Sequence, residues 1–249
     1  MTVHSSGRIF GVELADELRG IVREPAALFF SVIMPVAFFA LFVSLFGRFS
    51  DGGLSAGTTM IATFGAFGVI SVVLMNPGIG VAADRERGWL RSKQVSAVPI
   101  GVTLAAKVVA AVPYAAGVLL AMTATAAVTG SLNAPVPALL RLFVVLVLGA
   151  LPFASLSLAI GFQVGSGAAA AVLNAILIPS AVLSGLWMPL EIMPAFFGDV
   201  ARFLPTYHLS ELARAQLTGG PVITHVLVLL GFATVAAVLA AVSYRHARS

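Results

Sequence analysis

Residues 82–99 form a charged run between two long apolar segments and read Ala82-Ala83-Asp84-Arg85-Glu86-Arg87-Gly88-Trp89-Leu90-Arg91-Ser92-Lys93-Gln94-Val95-Ser96-Ala97-Val98-Pro99. A run with six charged side chains cannot lie in hydrocarbon, so we expect it to stand in water at one membrane face. Four of the six charges are Arg or Lys, which favours the cytoplasmic face. Asp84 to Leu90 is long enough for two helical turns, and Pro99 would stop the chain before the next span.

Composition identifies the class of protein. The chain has 249 residues, of which 59% are hydrophobic and only 10% charged, and its mean hydropathy is +1.05. Soluble domains carry about 25% charged residues. We therefore predict an all-α integral membrane protein with one transmembrane domain over residues 1–249. The net charge of +4 reflects the excess of basic residues in cytoplasmic loops, so we expect no nucleic-acid partner. The absence of cysteine excludes disulfides and thiolate metal sites.

Residues 6–24 predict an amphipathic helix, because Ile9, Phe10, Leu14, Leu18 and Ile21 recur near helical spacing with charged residues between them. The segment is too polar to span a membrane. We expect it to lie along the inner leaflet, with a small cap packed on the helical bundle as the alternative.

Six apolar segments predict six transmembrane helices, at about 27–47, 57–81, 102–129, 139–163, 167–188 and 222–243. With both termini in the cytoplasm, ten Lys and Arg residues fall on the inner side and four on the outer side. This asymmetry predicts a multi-pass protein of the cytoplasmic membrane with both termini inside.

The connection between the fifth and sixth predicted spans is long and rich in aromatic residues. We expect two short helices dipping into the outer leaflet, from Ala195 to Leu204 and from Leu209 to Leu217, separated by a break at Pro205-Thr206-Tyr207-His208. Aromatic side chains such as Trp187 and Tyr207 suit the membrane interface. An ordinary folded outer loop is the alternative.

Ionisable residues are missing from most of the predicted spans, for example between Asp51 and Asp84 and between Arg141 and Glu191. Ion-coupled carriers place such groups at depth, so a secondary transporter is disfavoured. The strongest polar side chains within the spans are Asn76, Gln163 and Asn174. Two roles remain open for them: helix-to-helix hydrogen bonds, or lining a path for a polar or amphiphilic substrate.

The sequence shows no enzyme site. Its four histidines, His4, His208, His225 and His246, lie near or beyond the span edges, and we expect them to be unpaired. A phosphate-binding loop needs Lys after Gly and before Ser or Thr, and neither Lys93 nor Lys107 fits, so we expect neither ATP nor metal in this chain. Gly161 and Gly165 form a GxxxG motif that permits close helix contact, within one chain or between two.

The order of motifs along the chain resembles the ABC-2 type permease family, the membrane subunits of ABC exporters of the daunorubicin-resistance kind. The resemblance covers nearly the whole chain. The residues that carry it are Arg23-Glu24-Pro25 and Pro35, then Asp84-Arg85-Glu86-Arg87-Gly88-Trp89-Leu90 and Pro99, then Ser184-Gly185-Leu186-Trp187-Met188-Pro189, Pro194, Leu204-Pro205-Thr206-Tyr207 and Leu212-Ala213-Arg214. In the outer segment the resemblance singles out Gly185, Pro189, Pro194, Pro205, Tyr207 and Arg214.

By this resemblance, a cytoplasmic coupling helix between spans two and three contacts a separate ABC ATPase, which binds ATP and Mg²⁺. Its residues are Asp84, Arg85, Glu86, Arg87, Gly88, Trp89, Leu90 and Arg91. The implied assembly is a homodimer or heterodimer of permeases with two ATPase copies. It exports a drug, as in multidrug or antibiotic resistance, or a lipid or glycan-lipid. We expect Glu86 and Arg87 to form ion pairs with the ATPase.

Departures from the family pattern make the loop more basic than usual. Many relatives carry Thr at Trp89 and an acid at Arg91, and Leu at the positions of Lys93 and Gln94. These differences bear on which ATPase surface the loop fits. Two other functions stay open: an ion-coupled secondary transporter or channel, and a non-transporting membrane anchor or immunity protein. For the loop itself, the alternative is a solvated segment that only sets the topology.

Overall fold

The computed structural model describes residues 6–22, 29–47, 50–51, 54–88 and 100–248. Within these ranges the chain is helical apart from turns and one pair of two-residue strands, Ser50–Asp51 and Leu54–Ser55. The helices are α1 (Ser6–Val22), α2 (Met34–Phe46), α3 (Ala56–Glu86), α4 (Ile100–Val128), α5 (Val136–Gly161), α6 (Ser166–Leu183), α7 (Ala195–Ala201), α8 (Pro205–Thr218) and α9 (Ile223–Arg248). A π-helical turn, Phe29–Ile33, leads into α2, and a 3₁₀ turn, Leu190–Ile192, precedes α7.

The predicted all-α membrane architecture is confirmed. Among the described residues, five helices are long and apolar enough to cross a membrane: α3, α4, α5, α6 and α9. The first predicted span is described from Phe29 onward, where the π-helical turn runs into the shorter apolar helix α2. Boundaries differ most at three helix ends. Helix α3 continues to Glu86 rather than ending near residue 81, α6 ends at Leu183 rather than near residue 188, and α9 continues to Arg248 rather than ending near residue 243.

Helix α3 lies at the centre of the bundle and packs against α2, α4, α5, α6 and α8. Its seam with α5 depends on small residues. A Cβ on Gly78 would overlap Ser157, and a Cβ on Gly161 would overlap the Gly78 carbonyl oxygen. The Ser157 hydroxyl donates a hydrogen bond to the Leu74 carbonyl across this seam. Gly161 of the GxxxG motif therefore serves a helix contact within the chain.

The helical bundle has two ends, which we call the α1 end and the α8 end. The α1 end holds α1, the C-termini of α3, α5 and α9, and the N-termini of α4 and α6. The α8 end holds α7, α8 and the start of α3, where Ser55 caps the helix by accepting a hydrogen bond from the Thr58 backbone N–H at 3.2 Å. Thr58 also donates its hydroxyl to Asn133 Oδ1 at 2.8 Å, which ties this cap to the turn between α4 and α5.

Helix α1 packs on α4 through two polar contacts. The Tyr114 hydroxyl donates to the Leu18 carbonyl at 3.0 Å, and Lys107 Nζ lies 2.6 Å from Glu17 Oε1. Lys107 is one of the ten basic residues predicted on the inner side. It lies near the start of α4, and its side chain is only 4% exposed. It stays there because Asp84 Oδ2, at 2.8 Å, supplies a second negative partner. Helix α1 therefore packs on the bundle, as the alternative to a purely interfacial position predicts.

The outer connection contains the two predicted short helices, α7 and α8, but the predicted break at Pro205–His208 is wrong. Pro205 is the first residue of α8, with Leu204 as its N-cap. Proline suits this position because its missing N–H would lack a partner at a helix start in any case. Thr206, Tyr207 and His208 therefore lie in the first turn of α8.

The buried charges around Lys107 make a stability prediction. Lys107→Met leaves the Glu17 and Asp84 carboxylates without their cation, and breaking a buried ion pair costs about 3–5 kcal/mol. We expect the detergent-solubilised variant to lose its monodisperse chromatographic peak at a clearly lower temperature than the parent protein. The triple variant Glu17→Gln/Asp84→Asn/Lys107→Met should recover most of the loss, because it removes all three charges together.

Arg19→Met is the matched control, since Arg19 pairs with Asp16 at 3.3 Å with both side chains about two-thirds exposed to solvent, at 68% and 70%. An exposed pair contributes little, so this variant should behave like the parent. A loss in Arg19→Met equal to that in Lys107→Met would contradict the prediction, as would a triple variant no more stable than Lys107→Met.

Candidate functional site

The charged run begins inside the central helix. Asp84, Arg85 and Glu86 form the last turn of α3, and Arg87 is its C-cap. The helix stops at Gly88, whose φ of +72° is a conformation that glycine adopts without strain, and whose N–H donates to the Arg85 carbonyl at 3.1 Å. The first part of the predicted coupling helix is therefore a continuation of the second span. Trp89, Leu90 and Arg91 lie outside the described residues.

Asp84 binds the end of α3 to two other helices through Lys107. The Lys107 ammonium group lies between Asp84 Oδ2, at 2.8 Å, and Glu17 Oε1, at 2.6 Å. Gly80 leaves room for it, because a Cβ there would come within 3.3 Å of Lys107 Nζ. One buried cation thus joins α1, α3 and α4.

Glu86 binds the same helix end to α6. Its Oε1 accepts a hydrogen bond from the Ser166 backbone N–H at 3.1 Å, and its Oε2 accepts one from the Ser166 hydroxyl at 2.7 Å. Gly165, the N-cap of α6, has no side chain to do this, and a Cβ on it would overlap Glu86 Oε1. A carboxylate at this place both satisfies unpaired N–H groups and opposes the positive end of the helix dipole.

We call Glu17, Asp84, Glu86, Lys107 and Ser166 the charged joint. Through it the end of α3 is held by α1, α4 and α6 at once. Both carboxylate oxygens of Glu86 accept hydrogen bonds from Ser166, and the side chains of Glu86 and Arg87 are both exposed. Ion pairing of Glu86 and Arg87 with an ATPase stays a prediction.

The three polar residues predicted as path lining lie on or beside different helices and differ in environment. Asn76, in α3, has a buried Nδ2 with no hydrogen-bond partner among the described residues. Gln163, just after α5, donates to the Ser243 carbonyl of α9 at 3.0 Å, which is the helix-to-helix role. Asn174, exposed on α6, donates to the Ala170 carbonyl of its own helix at 2.9 Å. No hydrogen bond in the described structure joins any two of them.

The predicted outer segment surrounds a cavity of about 730 Å³ at the α8 end, which we call the outer cavity. Gly185, Pro189, Tyr207 and Arg214 line it, while Pro194 is the N-cap of α7 and Pro205 is the first residue of α8. Gly185 has a φ of +69°, and a Cβ there would lie 2.7 Å from Leu190 Cγ. Burial raises the pKa of Tyr207, and the Glu211 carboxylate raises it further, so its phenol stays neutral and able to donate a hydrogen bond.

Sequence reasoning missed a histidine pair. His208 Nδ1 lies 2.9 Å from His225 Nδ1, so the prediction of unpaired histidines is wrong here. His208 Nε2 lies 2.9 Å from the Arg202 carbonyl, which can only accept a hydrogen bond. With both rings neutral, His208 carries its proton on Nε2, and its Nδ1 accepts a hydrogen bond from the Nδ1–H of His225. This contact joins α8 to α9, and no motif in the intervening residues signals it.

Comparison with known proteins agrees with this architecture. A family model described as ABC-2 type transporter matches residues 10–218, a range that includes the charged joint and the outer cavity. The chain is also similar to the Putative transport permease YvfS of Bacillus subtilis (strain 168), with 24% identity over 218 residues. That alignment covers 87% of this chain and 89% of the relative.

The cap that Glu86 provides can be tested by hydrogen exchange. Glu86→Ala removes both acceptors from Ser166, and losing an N-terminal cap costs about 1 kcal/mol, or roughly fivefold faster exchange of the first turn. We expect mass spectrometry to show this increase in peptides covering residues 164–172. The double variant Glu86→Ala/Gly165→Ser should restore protection, because serine is a good N-cap and the overlap with Glu86 is gone.

Asp16→Asn, which alters an exposed carboxylate of α1, is the matched control and should leave this region unchanged. Equal exchange in Glu86→Ala and Asp16→Asn would show that Glu86 does not hold the start of α6.

Proposed function

Because the chain belongs to the ABC-2 type transporter family, we propose that it is the membrane permease subunit of an ATP-driven exporter. The family implies an ABC ATPase as partner. The observation that carries the proposal is the charged joint, since the charged loop starts where one helix end is bound to three other helices. A force applied to that loop reaches the bundle at this point.

The contacts at the charged joint support a path by which ATPase movement spreads through the bundle. The loop after Arg87 pulls or pushes the end of α3, and Glu86 passes the displacement to α6 while Asp84 passes it to α1 and α4. Helix α3 runs unbroken from Ala56 to Glu86 and reaches the outer cavity with Met60 and Phe64. ATPase movement at one end of α3 thereby changes the cavity at the other end.

The assembly we propose has the α1 end in the cytoplasm, both termini inside, and the protein in the cytoplasmic membrane. The ATPase binds ATP and Mg²⁺, and this chain is the non-catalytic subunit. Two permeases, identical or related, pair with two ATPase copies around the export path. The mostly exposed apolar helices α6 and α9 support this arrangement, since they offer surfaces for lipid or for a second permease.

The cargo we propose is a hydrophobic or amphiphilic molecule, such as a drug, a lipid or a glycan-lipid. The outer cavity supports this class, because its lining combines aromatic side chains with charged ones. Export of a drug by this route would give multidrug or antibiotic resistance.

The burial of Lys107 favours an ion-coupled transporter instead, because buried ionisable residues in spans often carry protons or ions. Glu17 and Asp84 already form ion pairs with Lys107, and Asp84 lies in the last turn of α3. This arrangement favours a structural role for Lys107. Flux in sealed vesicles decides between the functions. A pump needs ATP and the ATPase, an ion-coupled carrier keeps working after ATP depletion, and a membrane anchor gives no flux in either case.

The decisive partner test is co-purification with the ATP-binding subunits of the source cell after gentle solubilisation. A deletion of residues 85–90 would also remove Glu86 and disturb the charged joint, so reversing the charges of Arg87 and Arg91 is a cleaner change. We expect at least tenfold less ATPase to co-purify with the variant Arg87→Glu/Arg91→Glu than with the parent protein. The matched control Arg8→Glu/Arg245→Glu reverses two exposed charges at the same end and should retain it.

ATPase recovered equally with the loop variant and the control would place the contact elsewhere. If no ATPase accompanies the parent protein in several mild detergents, the exporter proposal fails.

A further inference from the structure

The outer cavity has one apolar wall and one charged wall. The apolar wall is formed by Met60 and Phe64 of α3 together with Trp187 and Met188, which follow α6. The volume of about 730 Å³ lies within the range of about 300–1,000 Å³ that is typical of small-molecule sites. The cavity is therefore large enough for a polar head group and the first part of an apolar tail.

Trp187 is held firmly on the apolar wall. Its ring contacts Phe67 edge-on at 5.0 Å and stacks on Phe38 at 6.3 Å between ring centres. Its Nε1–H is buried and has no hydrogen-bond partner among the described residues. The indole ring therefore offers a fixed apolar surface to the cavity.

The charged wall carries both signs in equal number, with Glu191 and Glu211 against Arg202 and Arg214. Glu211 and Arg214 neutralise each other at 2.8 Å, while Arg202 lies 3.9 Å from Asp199 with both side chains mostly exposed. Such a wall has no net charge that would attract purely anionic or purely cationic ligands. A head group with one positive and one negative end matches it, because each end finds an opposite charge.

We propose that the outer cavity binds a zwitterionic amphiphile, with its amine toward Glu191, its acidic group toward Arg202 and its tail against Phe64 and Trp187. This inference rests on the proposed function, because it identifies the bound amphiphile as cargo on its way out. Met60 and Met188 add flexible apolar surface that adapts to different tails.

Trp187 provides a direct readout of binding. The sequence has two tryptophans, Trp89 and Trp187, so the full chain with Trp89→Phe reports on the cavity alone. In a neutral maltoside detergent, the protein is titrated with three probes of equal chain length: lysophosphatidylethanolamine, lysophosphatidylglycerol and an alkyltrimethylammonium salt. We expect a saturable change in Trp187 fluorescence with the zwitterionic probe, at concentrations at least tenfold lower than with either other probe.

Variants locate the site. Glu191→Gln/Arg202→Gln should weaken zwitterion binding at least tenfold, whereas Arg141→Gln, an exposed change on α5 that does not line the cavity, should leave it unchanged. Equal affinity for all three probes, or the same affinity in the double variant and the parent, would overturn the proposal.

The two proposals fail separately. Absence of zwitterion selectivity together with intact ATPase co-purification would reject this inference and leave the exporter function standing. Selective binding without any ATPase partner would reject the exporter function and leave the cavity as a binding site.

Discussion

The buried ammonium group of Lys107 is the constraint on which this end of the protein depends. An isolated charge removed from water is too costly to keep, so Lys107 requires both Glu17 and Asp84 at its side. These partners come from different helices, and satisfying one cation therefore fixes α1 and the end of α3 against α4. The amphipathic first helix is docked by this electrostatic need as well as by its apolar face.

A second carboxylate on the same turn extends the constraint to α6. Glu86 caps that helix from outside, and Gly165 is small because the carboxylate occupies the space of its side chain. Close packing at Gly78 and Gly161 then keeps α3 and α5 in register. Helix α3 therefore runs from the charged joint at its C-terminus to the wall of the outer cavity near its N-terminus. Under the proposed function, this connection transmits the movement of an ATPase from one end of α3 to the other.

Hydropathy and charge patterning were enough to predict the membrane class, most span positions, the amphipathic helix and the short outer helices, because each depends on local composition. Specific pairings were not predictable. Asp84 and Lys107 lie on different helices, Glu86 and Ser166 are separated by two spans, and His208 and His225 by a turn, so only the packed bundle brings them together. The boundary of α3 was misplaced for the same reason, since the charges that end it are satisfied by distant partners.

Because the end of α3 holds the starts of both α4 and α6, we expect these two helix ends to move as one rigid body. The cysteine-free chain allows spin labels at Ala105→Cys and Ala168→Cys, two exposed positions beside the joint but outside it. Pulsed electron paramagnetic resonance on the complete transporter would compare nucleotide-free and ATP-bound states. Rigid-body movement predicts the same narrow distance distribution in both states and a broadened one in Glu86→Ala. A distance that shifts with nucleotide in the parent protein would contradict it.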